Sequence, residues 1–161
     1  MGELIQVGMG DYKLAMPPDK LITAGLGSCI GICLLDPKSK MACMSHIMLP
    51  CSPNDKKYGN PGKYADTAII AALDDMKKMG ADTDHLVAKI AGGAQMFRFS
   101  GNSSIFKIGE RNAIAVEENL EKNKIRLLNK DIGGNVGRTI IFDPANGDLS
   151  IRTIKEGQKV I

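Results

Sequence analysis

Residues 41–49 read Met-Ala-Cys-Met-Ser-His-Ile-Met-Leu, a run in which both alternating faces are largely apolar. A strand covered on one side shows a polar face to water, whereas one apolar on both faces needs cover on both. The segment therefore predicts an interior strand in a layered structure. Just before it stands Cys29-Ile-Gly-Ile-Cys-Leu-Leu, ended by Asp36-Pro37, and the short turn Pro37-Lys38-Ser39-Lys40 makes the two segments neighbours.

Other elements follow from period and punctuation. Residues 3–7, 11–16 and 21–24 read as short strands; Gly8 and Gly10 split the first two, and Pro17-Pro18 enforces an extended turn before the third. Residues 50–61 read as a surface loop. Asn60 and Pro61 suit an N-cap and first helical position, followed by Ala65, Ala68, Ile69, Ala72, Leu73 and Met76 at helical spacing, with Gly80 as the stop. A strand over 85–91 ends at Gly92-Gly93, and a second amphipathic helix spans 110–122, with Ala113, Val116 and Leu120 inward and Asn123 as its stop. Strands near 125–130, 138–143 and 148–154 complete the chain, the last two joined through Pro144-Ala145-Asn146-Gly147, whose Asn-Gly pair favours a tight hairpin. There is no internal repeat and no linker-like break, so the expected organisation is one α+β domain over residues 1–161, with mixed sheets packed against two helices.

Charge excludes some functions. The 21 Lys and Arg against 18 Asp and Glu are scattered, without the aromatic interleaving of a nucleic-acid groove. No run approaches a membrane span, and the N-terminus lacks the basic and apolar regions of a secretory signal, so the expectation is a cytoplasmic protein with no membrane insertion and no nucleic-acid partner. In a reducing compartment Cys29, Cys33, Cys43 and Cys51 are expected as free thiols.

All four cysteines and the first of the two histidines fall within residues 29–51. Cys29 follows Gly25-Leu26-Gly27-Ser28, a glycine turn able to expose a thiol and surround it with backbone N–H donors, the two needs of a nucleophile attacking a carbonyl. Alone this is a weak signal, because a Cys opening an apolar strand is more often a small core residue. His46 strengthens it, since an imidazole inside an apolar strand must find a hydrogen-bond partner. Strand alternation puts Met44, His46 and Met48 on one face and Cys43, Ser45 and Ile47 on the other, so His46 turns from Cys43 and toward a thiol on the neighbouring strand, Cys29. Thr23, ending the strand before the glycine turn, is a candidate to orient the ring, although its residue type alone better fits an ordinary β-branched strand position.

Zinc competes for the same residues, through Cys29-x3-Cys33 and Cys43-x2-His46. The spacing argues against it, because structural sites pair cysteines two residues apart on a knuckle turn. Cys33 and Cys43 therefore read as core, Cys51 as an exposed thiol, and His85 as a residue without an evident partner; no metal or cofactor is expected.

Several segments carry a wider likeness: Thr23-Ala-Gly-Leu-Gly-Ser-Cys29, Ser45-His-Ile-Met-Leu-Pro50, Gly62-Lys-Tyr-Ala-Asp-Thr-Ala68, Ala88-Lys-Ile-Ala-Gly-Gly-Ala-Gln-Met-Phe97, Ile108-Gly-Glu-Arg-Asn112 and Gly133-Gly-Asn-Val-Gly-Arg138. In this order the chain resembles the CheD family of chemoreceptor glutamine deamidases. The resemblance implies a catalytic Cys29, His46 and Thr23, an α/β sandwich related to deamidating bacterial toxins, and methyl-accepting chemoreceptor cytoplasmic domains as substrate. It also implies glutamyl methyl ester hydrolysis as a second reaction and a CheC phosphatase as partner, with a regulatory binding module as the alternative to an enzyme. Residues 98–105 fall where no fixed family pattern is known, and Ala113 stands where Val is expected.

Overall fold

The computed structural model describes residues 2–53, 59–96 and 107–161. The two apolar segments become adjacent strands, β4 (Ile30–Leu35) and β5 (Ala42–Ile47), paired antiparallel with every residue of both buried. They form the middle of a central sheet whose edge beside β5 is β2 (Tyr12–Ala15), while β6 (Val87–Gly92) and β7 (Arg126–Ile132) follow on the other side of β4. A second, outer sheet is ordered β1 (Leu4–Gln6), β3 (Lys20–Leu26), β8 (Arg138–Asp143), β9 (Asp148–Thr153), β10 (Gly157–Val160). Both sheets are mixed, since β1 runs parallel to β3 and β6 parallel to β7.

The central sheet is covered twice, as its sequence demands. On one face Ile30, Ile32, Leu34, Cys43 and Ile47 pack with Ile69, Met76, Val116 and Leu120 of α1 (Ala65–Lys78) and α2 (Ile108–Lys122). On the other face Cys29, Cys33, Met44 and Ala91 meet Leu21, Leu26, Ile140 and Phe142 of the outer sheet. Each large apolar side chain buried in these layers contributes about 1.5–3 kcal/mol against leaving it in water. The result is an α+β sandwich of helices, sheet and sheet, and Thr23, Cys29 and His46 face the layer between the sheets.

Departures from the sequence reading have local causes. Asn60 caps a 3₁₀ turn at Pro61–Lys63, its Oδ1 accepting from Gly62 N–H at 3.1 Å, but the chain then extends at Tyr64 before α1 begins. Backbone pairing causes the break: Met48 N–H donates to Lys63 O at 2.8 Å and Ala65 N–H to Leu49 O at 3.0 Å. The β8–β9 hairpin, by contrast, forms as expected through residues 144–147, closed by Gly147 N–H donating to Asp143 O at 2.8 Å. Strand β10 was not expected, and His85 does have a partner, its Nδ1 lying 2.8 Å from Asp82 Oδ2. The expected loop over 50–61 lies outside the described residues at 54–58, as do Phe97 and the whole of 98–105.

Candidate active site

Thr23 reaches the space between the sheets by the regular alternation of β3, on the same face as buried Leu21, and the strand becomes irregular only after it, where Leu26 is turned inward. A regular strand would put Thr23 and Gly25 on one face and turn Leu26 outward. The register with β8 shifts between Thr23 and Leu26, and both residues are buried. Gly25 adopts φ +71 in this shift with open space around it, so backbone conformation rather than room calls for glycine.

His46 enters the same space from the central sheet. Its strand partner on β4 is Gly31, whose missing side chain matters: a Cβ there would stand 2.5 Å from Ile140 Cδ1. The His46 backbone is held by its N–H donating to Asp11 O at 3.0 Å and its carbonyl accepting from Gly10 N–H at 2.8 Å. Its ring is fully buried, with Nδ1 2.7 Å from Thr23 Oγ1. Thr23 Oγ1 also donates to Val7 O at 2.6 Å. A carbonyl can only accept and a hydroxyl has one proton, so at the second contact Nδ1–H donates and Thr23 accepts. The neutral ring therefore carries its proton on Nδ1 and a lone pair on Nε2. Among the described residues that buried Nε2 has no hydrogen-bond partner.

Cys29 sits two residues before Gly31 and packs in the inter-sheet layer, on the His46 face of the central sheet. The loop that carries it is held by its carbonyls: Ala94 N–H donates to Gly27 O at 2.8 Å and Gly93 N–H to Cys29 O at 2.9 Å. Burial pushes the Cys29 thiol above its ordinary value, opposed by its own backbone N–H toward the sulfur. Burial also pushes the His46 imidazole below 6.5. Both effects favour the neutral forms, thiol and imidazole.

Thr23 of β3 and His46 of β5 are thus in contact, and Cys29, at the start of β4, lies on the same face of the central sheet without a hydrogen bond to the ring. Cys33 and Cys43 do not join them: Cys33 faces the outer sheet and Cys43 the helices, on opposite sides of the central sheet, while Cys51 is exposed. Among the described residues no group of three or more His, Cys, Asp or Glu side chains could hold a metal ion, and no helix is long and apolar enough to cross a membrane. The Val7 carbonyl is the member of the site that residue types could not reveal, because it is backbone.

Compared with known proteins, the chain is 58% identical over 161 residues, the whole of both chains, to a protein of Syntrophomonas wolfei named probable chemoreceptor glutamine deamidase CheD. This chain belongs to the CheD family. A Desulfitobacterium hafniense CheD with the same name is 51% identical over 161 residues, again all of both chains. The chemoreceptor glutamine deamidase CheD of Halalkalibacterium halodurans is 47% identical over 162 residues, covering both chains completely. The family model described as CheD chemotactic sensory transduction matches residues 48–153. That match begins after His46; the matches to the full-length CheD relatives extend over Thr23, Cys29 and His46 as well.

Proposed function

We propose that this protein is a cytoplasmic glutamine deamidase of chemotaxis, hydrolysing glutamine side chains on the cytoplasmic domains of methyl-accepting chemoreceptors. The observation that carries the reading is the 2.7 Å Thr23–His46 contact, whose proton assignment leaves Nε2 as a free base on the Cys29 face of the sheet. The names of the full-length relatives support the substrate.

In this mechanism His46 Nε2 takes the Cys29 thiol proton as Sγ bonds to the carboxamide carbon. Backbone N–H groups of the glycine turn receive the negative charge that forms on oxygen. The C–N bond then breaks, the nitrogen takes the proton back from His46 and leaves as ammonia, and a Cys29 thioester remains. Water loses a proton to Nε2 and attacks the thioester; the C–S bond breaks, the sulfur recovers a proton and glutamate is released. Thr23 holds the ring in one tautomer throughout. A glutamyl methyl ester would follow the same path, with methanol in place of ammonia.

The test is intact-mass analysis of a purified receptor cytoplasmic domain after incubation with the protein. Exchange of NH₂ for OH adds about one dalton per glutamine, as acyl transfer to water requires. A receptor mass that stays unchanged would overturn the reading.

A further inference from the structure

Asn112 is fully buried in the second turn of α2, and its Nδ2 donates to Ser28 O at 2.9 Å and to Met48 O at 3.1 Å. One amide thus ties the loop carrying Cys29 to the chain just past His46. Only the NH₂ end can serve two carbonyls, so the side-chain orientation is fixed by chemistry. Its Oδ1 is left buried, with no hydrogen-bond partner among the described residues. An orphaned acceptor of this kind is costly and needs a reason.

The reason lies in the peptide that Asn112 grips. In a planar trans peptide the C=O and the following N–H point in opposite directions. Drawing Ser28 O toward α2 therefore turns the Cys29 N–H away from α2, to the side where Cys29 packs between the sheets. By the same geometry, Ala94 N–H on Gly27 O turns the Ser28 N–H away from the Gly93–Ala94 backbone. Among the described residues neither of these N–H groups donates to another residue.

We infer that Asn112 is the positioning residue of an oxyanion hole formed by the backbone N–H groups of Ser28 and Cys29. The inference rests on the deamidase reading, since that reaction puts negative charge on the substrate carbonyl oxygen. Asn112 touches no reacting atom and acts through the loop.

The test compares Asn112→Asp, which keeps the shape but loses the donors, and Asn112→Ala with wild type in three readouts: kcat, KM, and the rate of Cys29 alkylation by iodoacetamide. Alkylation needs the thiol and its base but builds no oxyanion. Loss of the hole lowers kcat by about tenfold or more, with KM and Cys29 alkylation unchanged. A folded variant with wild-type kcat, or one losing alkylation and kcat in equal proportion, would overturn the inference. If neither variant folds, the wild-type protein still decides. A glutamine-like peptide aldehyde adds its carbonyl carbon to Cys29 Sγ, the thiol proton ending on the adduct oxygen, and the Ser28 and Cys29 amide protons should move downfield in the NMR spectrum. Unmoved amides would overturn the inference. Shifted amides in a protein that leaves receptor glutamines intact would uphold the hole and reject the deamidase reading.

Discussion

Thr23 Oγ1 stands 2.7 Å from His46 Nδ1 across the space between the two sheets, and its single proton is committed to Val7 O. The hydroxyl can only accept from the ring. Thr23→Ala removes that acceptor, so the imidazole samples the wrong tautomer and orientation. The expected loss in kcat is about 100-fold, the scale on which small misplacements of catalytic groups act. Thr23→Ser retains the hydroxyl and should lose far less. Equal kcat in Thr23→Ala and wild type would reduce the site to Cys29 and His46.

The cysteines separate by face. Cys29→Ala should abolish deamidation with the fold intact, as judged by circular dichroism and thermal melting. Cys33→Ala and Cys43→Ala each remove a buried sulfur at a cost of about 1 kcal/mol and should keep activity once folded. Cys51→Ala touches an exposed residue and should change neither. Deamidation by the Cys29→Ala protein would end the thiol mechanism.

How much of this was legible in the sequence depends on the residue. The double-faced apolar pattern of residues 41–49 announced the buried strand, and alternation turned His46 away from Cys43, leaving Cys29 on the neighbouring strand as its candidate thiol; the strand register then sets both on one face. The Thr23–His46 contact joins two sheets, a tertiary arrangement that strand periodicity cannot encode, although alternation with Leu21 puts Thr23 on the inner face of β3. Asn112 did leave a trace: with Val116 and Leu120 it forms an i, i+4, i+8 stripe, a polar residue on a buried helix face. Strand β10 left none, since all four of its residues are exposed and show no alternation.

The pH dependence follows from burial. His46 titrates below 6.5 and Cys29 above 9.0, so the neutral pair persists between those values. The acid limb of kcat/KM should therefore have its midpoint below 6.5, and alkylation of Cys29 should climb through the neutral range without a plateau. A pH-independent plateau would indicate a thiolate–imidazolium pair instead. Stability has the same origin. The unfolded chain protonates His46 as pH falls past 6.5 while the fold resists, so this contribution is present above 6.5 and lost on acidification toward the lowered folded value. In denaturant titrations His46→Gln should lack that part of the slope.

The close approach of β6 to Cys29 gives the last prediction. Gly92 has φ +124, and a Cβ there would lie 2.2 Å from the carbonyl oxygen of Cys29. The obstacle is backbone, which cannot swing aside as the end of a side chain can. Gly92→Ala must push Cys29 away, and the neighbouring bond from Gly93 N–H to Cys29 O, 2.9 Å, goes with it. Gly133 is the control, with φ +89 but no atom within 4 Å of its built Cβ. Gly133→Ala should cost only backbone strain, about 1–2 kcal/mol. Gly92→Ala should add about 1–3 kcal/mol of overpacking to that, measured by chemical denaturation. On the proposed thiol mechanism its deamidation rate should fall further than its folded fraction, because the displaced atom belongs to Cys29 itself. Equal losses in the two variants would mean that the contact between Gly92 and Cys29 does not govern the position of the thiol.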